Sequence, residues 1–227
     1  MNDNNQPTLF DLHAPASDLP DGAHHRPAWL DSDQQRWIAA QHASWAKGPV
    51  PPHSPEVHGH PMSVSMLCLG WHWNPSRGYS RVAHDVNNRA VLPVPEWLVT
   101  LGRRAVADAT GDATLAASYT PDVALVNHYA DAAKMGMHRD ADERSDAPVV
   151  SLSIGDTCRF RFSNATTRNR PYTDVWLASG DLFVFGGPAR RNYHGVTKVY
   201  PNTAPFDCGV QGRLNITLRE TGFQRHG

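Results

Sequence analysis

The heptad Arg213-Leu214-Asn215-Ile216-Thr217-Leu218-Arg219 decides the fold. Arg, Asn, Thr and Arg alternate with Leu, Ile and Leu. In a β-strand successive side chains point to opposite faces, so one face is apolar and the other polar. The apolar face suits packing against helices. The polar face carries two arginines, which are costly to bury without anionic partners. Their Cα atoms lie about 20 Å apart along an extended strand. If both side chains lean inward, the gap between the guanidinium forks is on the order of 7 Å, the length of a small dicarboxylate, and such forks bind carboxylates in bidentate fashion. Taken alone, the strand also reads as a surface strand with two solvated arginines.

Upstream of this strand the chain has the same β character. Short apolar and β-branched runs occur at Val123 to Val126, Val149 to Ile154, Arg159 to Phe162, Val175 to Leu177, Leu182 to Phe185 and Val196 to Tyr200, with turn residues between them. Many short strands separated in this way indicate a β-sandwich or jelly roll. The N-terminal half supplies helices. Residues 32 to 47 read as one, with Ser32 and Gln35 as a capping box. Residues 93 to 108 read as another, with Pro95 at its opening. Met62 to Trp71 reads as a strand. The fold class is therefore mainly β with flanking helices. Residues 1 to 30 are polar and expected to be poorly ordered, and residues 31 to 227 form a single domain.

Composition sets the outer limits. A chain of 227 residues suits one domain and can bury about 70% of its unfolded surface without a disulfide or zinc staple. Three widely spaced cysteines, Cys68, Cys158 and Cys208, do not suggest a disulfide framework. No signal peptide or membrane span is visible, so a cytoplasmic protein is expected. The formal net charge of −1 gives no bulk case for nucleic-acid binding, which would have to rest on a local patch.

Chemistry-bearing residues cluster in three places. His138 and Asp140 stand at i and i+2, so on a strand they point the same way. His194 follows an apolar strand and the Gly186-Gly187 turn. Two histidines and a carboxylate make a facial triad that leaves open positions on iron(II). An isolated His-x-Asp is common, as are Asn127 and Tyr129 on one strand face. The order His-x-Asp, distant His, then Arg-x-Asn-x-Thr-x-Arg is not common.

On these motifs the sequence resembles the AlkB family of oxidative demethylases. The matching residues are Asn127-x-Tyr129, His138-x-Asp140-x-Asp142, residues 148–155, residues 180–187, Tyr193-His194-Gly195 and the Arg213 to Arg219 strand. An upstream block, about 61 to 85, is similar to the family's base-recognition region. The resemblance implies a double-stranded β-helix, with its core at about 122 to 222. It implies iron(II) on His138, Asp140 and His194, with 2-oxoglutarate and O2 as cosubstrates. Arg213, helped by Tyr129, would bind the distal carboxylate. Arg219 and Asn127 would secure the keto-acid end, and Asn215 would support the pocket. Trp71 would stack on a flipped base against His138, Tyr79 would contact the adjacent phosphate, and Asp142 would face the base's exocyclic amine. The implied substrate is alkylated DNA or RNA, handled by a monomer. Two departures stand out: Phe185 replaces a family Trp, and the segment Ser163 to Arg170 lacks the usual Gly-Gly. A hydroxylase of protein or small molecules, and a non-catalytic jelly-roll binding module, are the rival readings. Gln6-Pro7-Thr8-Leu9-Phe10 looks like a peptide that docks on bacterial sliding clamps; the competing reading packs it on its own domain.

Overall fold

In a computed structural model, which describes residues 18–57 and 59–223, ten strands build two facing sheets. In chain order they are β1 (Ala23–Arg26), β2 (Val64–Leu69), β3 (Val123–Tyr129), β4 (Met135–His138), β5 (Val149–Gly155), β6 (Cys158–Phe162), β7 (Thr173–Leu177), β8 (Leu182–Phe185), β9 (His194–Val199) and β10 (Arg213–Arg219). The large sheet runs β1-β8-β5-β10-β3-β2 and the small one β4-β9-β6-β7. Two sheets of this kind make the jelly roll expected from the strand pattern. The sliding-clamp-like stretch, residues 6–10, lies outside the described residues.

The heptad at 213–219 is β10, the interior strand between β5 and β3, with Asn215 opposite both Ser153 and Asn127. All seven of its residues are buried, so its arginines are not solvated surface groups. Leu214, Ile216 and Leu218 pack with Leu98, Val106 and Tyr119, in a core built on two helices. Those helices are α1 (Ser32–Trp45) and α2 (Glu96–Thr110); a short α3 (Ala113–Ser118) follows. Gly102 of α2 is where helix and sheet touch, since a Cβ there would sit 3.0 Å from Leu218 Cδ1.

Several expectations need correction. The first helix is capped by Asp31, whose side chain accepts from Gln34 N while Gln34 Oε1 accepts from Asp31 N; Ser32 is already its first residue. The second helix starts three residues later than expected and ends at Gly111, which takes the left-handed conformation (φ 73°) that favours glycine at this position. The upstream strand is shorter, Val64–Leu69. Residues 23–26, expected to be poorly ordered, pair with β8 as an edge strand. His25 anchors it through a buried 2.9 Å contact with Asp181. Among the described residues no helix is long and apolar enough to cross a membrane.

Candidate active site

The polar faces of β3, β5 and β10 look across at β4 and β9, and the space between the sheets is a small cavity of about 40 Å³. His138 closes β4, and its register partner on β9 is His194. Asp140 lies two residues beyond the strand, 4% exposed. The sequence thus brings its three metal-ligand candidates to one point. His138 Nε2 and His194 Nε2 each lie 3.6 Å from a different oxygen of Asp140.

The ring orientations are fixed from behind. His138 Nδ1 is 2.9 Å from the Gly136 carbonyl, and His194 Nδ1 is 3.0 Å from that of Asn192. A carbonyl can only accept, so each Nδ1 carries a proton and Nε2 is the nitrogen turned to the centre. Burial pushes His194 down to about 4, with Asp140 opposing only in part, so its imidazole is neutral at pH 7. Burial alone would raise Asp140. Arg219 first, then His194, His138 and Arg190, outweigh that and hold it at about 2. Two imidazoles and an ionised carboxylate are the donor set that iron(II) takes with open positions. Asp140 Oδ2 is buried without a hydrogen-bond partner among the described residues, as a metal-facing oxygen would be.

The 2-oxoglutarate candidates line the same cavity. Arg213, 1% exposed, donates from Nη2 to Ser153 Oγ (2.9 Å), while its Nε has no partner. Tyr129, its register partner on β3, stands beside it; burial raises the phenol well above its usual range, so it stays a neutral donor. Asn127 is buried, and its Oδ1 is unpartnered. Asn215 is committed to the scaffold: its amide donates to Ser151 Oγ (2.7 Å) and to the Leu152 carbonyl (3.1 Å), and its oxygen accepts from Thr217 (2.9 Å).

Arg219 is engaged differently from the expectation. Its Nη2 lies 2.8 Å from Asp140 Oδ1, and its Nη1 lies 2.9 Å from Glu143 Oε1. Glu143 also meets Arg190 at 3.2 Å. Sequence reasoning missed both Glu143 and Arg190, although buried charges almost never occur unpaired. Glu143 stands three residues after Asp140, the one signal that could have drawn attention to it.

A second, more open cleft shares Asn127, His138, Asp140 and Arg219 with the first and leads outward. Its wall includes Trp73, whose Nε1 donates to Asp142 Oδ2 at 2.7 Å. Trp71 is not among its lining residues. It bonds Asp122 Oδ2 (2.9 Å), lies under the Arg81 guanidinium (3.7 Å to the ring) and meets Phe223 edge-on. Of the two tryptophans, Trp73 is the one on the cleft wall, in the short strand that follows the Gly70 turn (φ 79°). The Tyr79 hydroxyl donates to Glu143 Oε1 (2.6 Å). Phe185, the departure from the family Trp, stacks obliquely on His194 at 5.0 Å between ring centroids. Arg168, in the divergent loop, lines the outer cleft.

The arrangement defines the class: an oxygenase that uses iron(II) and 2-oxoglutarate. The sequence model described as the 2OG-Fe(II) oxygenase superfamily matches residues 22–219. The alpha-ketoglutarate-dependent dioxygenase AlkB homolog of Caulobacter vibrioides is 36% identical over 198 residues, covering 85% of this chain and 84% of that protein. AlkB of Escherichia coli (strain K12) is 36% identical over 171 residues, covering 72% and 74%. A DNA N(6)-methyladenine demethylase of Arabidopsis thaliana, ALKBH1D, is 32% identical over 181 residues; the chain spans 40% of its length. The solved structure of OsALKBH1 superposes with a TM-score of 0.77 at 29% identity, covering 89% of this chain and 99% of that one. The chain belongs to the AlkB family of 2-oxoglutarate- and iron(II)-dependent dioxygenases.

Proposed function

We propose that this protein oxidatively removes N-linked alkyl groups from bases in DNA, with RNA as a second possible polymer, acting as a monomer. The observation that carries the reading is the continuity of the two cavities through His138 and Asp140. One leads to the buried arginine Arg213. The other opens to solvent past an indole and a carboxylate suited to a flat base bearing an exocyclic amine.

In this reading His138, Asp140 and His194 hold iron(II), which when bound supplies the oxidising power together with 2-oxoglutarate and O2. Arg213 and Tyr129 take the distal carboxylate of 2-oxoglutarate, with Ser153 fixing the guanidinium. Asn127 lines the same path. Arg219 keeps Asp140 ionised. On the substrate side a base swung out of its stack lies on Trp73, and Asp142 accepts from its amine. The Trp73–Asp142 bond holds the indole on the cleft wall. The product hemiaminal releases an aldehyde and the free base. A cytoplasmic setting is supported by the three cysteines, all free and buried.

The test is succinate and formaldehyde release with and without oligonucleotides carrying 1-methyladenine or 3-methylcytosine, single- and double-stranded. Stimulation by the methylated oligonucleotide supports the reading. Turnover indifferent to it points to the rival, a hydroxylase of protein or small molecules. An Asp140→Ala protein that keeps full turnover would sink the metal assignment.

A further inference from the structure

We propose that the base-recognition block carries a second metal site, formed by His53, His72 and Asp85, for a divalent transition-metal ion of the zinc type. It shares no residue with the His138 set. Each of the three side chains offers a donor atom, and these atoms all lie within 4.8 Å of one another.

The three donors come from separate segments. His53 sits in the strap before β2 and is pinned to Met66 by reciprocal backbone bonds of 3.0 and 2.7 Å. His72 opens a hairpin of His72–Asn74 with Gly78–Ser80. Asp85 lies in the turn after Val82–Ala83. Strap, hairpin and turn therefore converge on one point.

The ring nitrogens there are poorly satisfied. His72 is 1% exposed and its Nδ1 has no partner among the described residues; both nitrogens of His53 are buried and equally without one there. The Pro51 carbonyl is near His53 but makes no well-formed hydrogen bond with it. The two rings face each other at 5.2 Å between centroids, tilted by 34°. Buried polar groups are normally paired, and each of the two neutral rings has one lone-pair nitrogen to offer, which a shared cation would take up. Burial and the neighbouring His72 also keep His53 deprotonated, the form that ligates.

Asp85 completes the set. Its Oδ1 is 2.6 Å from His72 Nε2, and its Oδ2 accepts from Asn74 Nδ2 at 2.8 Å, so its carboxylate is already aimed. Zinc holds N and O ligands at about 2.0–2.2 Å, so small side-chain rotations close the observed spread. Asp85 is the most exposed of the three, which leaves an entry path and room for a water as fourth ligand. Two imidazoles and one carboxylate suit zinc, copper or nickel. The ion would cross-link the segments that carry Trp73, whose indole lines the outer cleft on the other side of the hairpin strand.

The experiment uses the full chain with His138→Ala and Asp140→Ala together, so that the first site no longer competes. After chelator treatment, Zn2+ is titrated against a competing indicator, and Co2+ uptake is followed by its visible absorption. The expected result is one bound equivalent and a raised melting temperature. Adding His53→Gln should abolish both the equivalent and the metal-dependent shift. His53→Gln keeps a polar side chain beside the Pro51 carbonyl, and its metal-free melting temperature checks directly that it folds. Asp85→Asn should weaken binding at least about tenfold. No bound equivalent in the double variant, or unchanged uptake after His53→Gln, overturns the proposal.

Discussion

Nη2 of Arg219 lies 2.8 Å from Oδ1 of Asp140, so the last arginine of the alternating strand holds the carboxylate of the candidate iron site. The same guanidinium reaches Glu143, making one cation answer two buried anions. Arg219→Met should take from Asp140 its guanidinium partner, leave Glu143 with Arg190 alone, and cost about 3–5 kcal/mol of stability. Arg219→Lys should recover only part, because a point charge cannot bridge two carboxylates as a fork does. Urea denaturation of the metal-free proteins checks this. Equal stability of Arg219→Met and parent would show the pair to be idle.

Arg213 has a different task. It lines the cavity, tethered to Ser153, and its Nε has no partner among the described residues. Arg213→Ala should raise the KM for 2-oxoglutarate steeply, by an amount equivalent to about 3–5 kcal/mol for the lost charged partner. Arg213→Lys should rescue partly. An unchanged KM in Arg213→Ala would remove the dicarboxylate from this end of the cavity.

The two tryptophans should separate cleanly. Trp73→Ala should weaken methylated oligonucleotide binding by about 1–3 kcal/mol through lost stacking, while succinate formation without substrate persists. Trp71→Ala should instead lower the melting temperature, since it loses the Asp122 bond and the Arg81 contact. If Trp71→Ala is the variant that loses oligonucleotide affinity at unchanged stability, the platform is wrongly placed at Trp73.

Gly195 follows a ligand candidate and tolerates no Cβ. One built there would sit 2.7 Å from the Met135 carbonyl and 2.8 Å from that of Gly136. These are backbone atoms and cannot rotate aside. Gly195→Ala should therefore push β9 from β4, costing about 1–3 kcal/mol, and should lower iron affinity because His138 and His194 ride on those two strands. Iron titration of a variant that still folds, judged by circular dichroism, is the measurement.

Acid should destabilise the metal-free protein well above the carboxylate range. Burial lowers His194 to about 4, and lowers His42 and His53 as well. A depressed histidine binds its proton more readily when unfolded. Stability is therefore full above the ordinary value of about 6.5 and is lost as pH falls from there through the folded value. The denaturation midpoint should be lower at pH 5 than at pH 7.5, and His194→Asn should shrink the difference. A midpoint that rises on acidification would reverse the sign and the argument with it.

Much of this was legible in the sequence because it rests on period-two alternation. Arg213 to Arg219 announces its two faces, and residues 182 to 185 announce a buried strand. His138 with Asp140, and His194, stood out by type and order. What alternation does not encode was missed. The edge strand Ala23–Arg26 has one apolar residue in four and owes its place to His25 meeting Asp181. The helix Ala113–Ser118 is too short to show an apolar stripe. Choosing between Trp71 and Trp73 required the backbone direction after Gly70. The partner of Tyr79 is Glu143, distant in sequence, and only the folded chain brings the two together.

The middle strand of the large sheet is also the latest of its six in the sequence. During synthesis β5 and β3 must wait, each with an open edge, until residues 213 to 219 have left the ribosome. Open edges invite pairing with other chains, and half-finished folds are the species that aggregate. The strand that carries the cosubstrate arginine is thus also the closing piece of the sheet. A chain stopped short of it should accumulate as insoluble protein rather than as a soluble, inactive oxygenase.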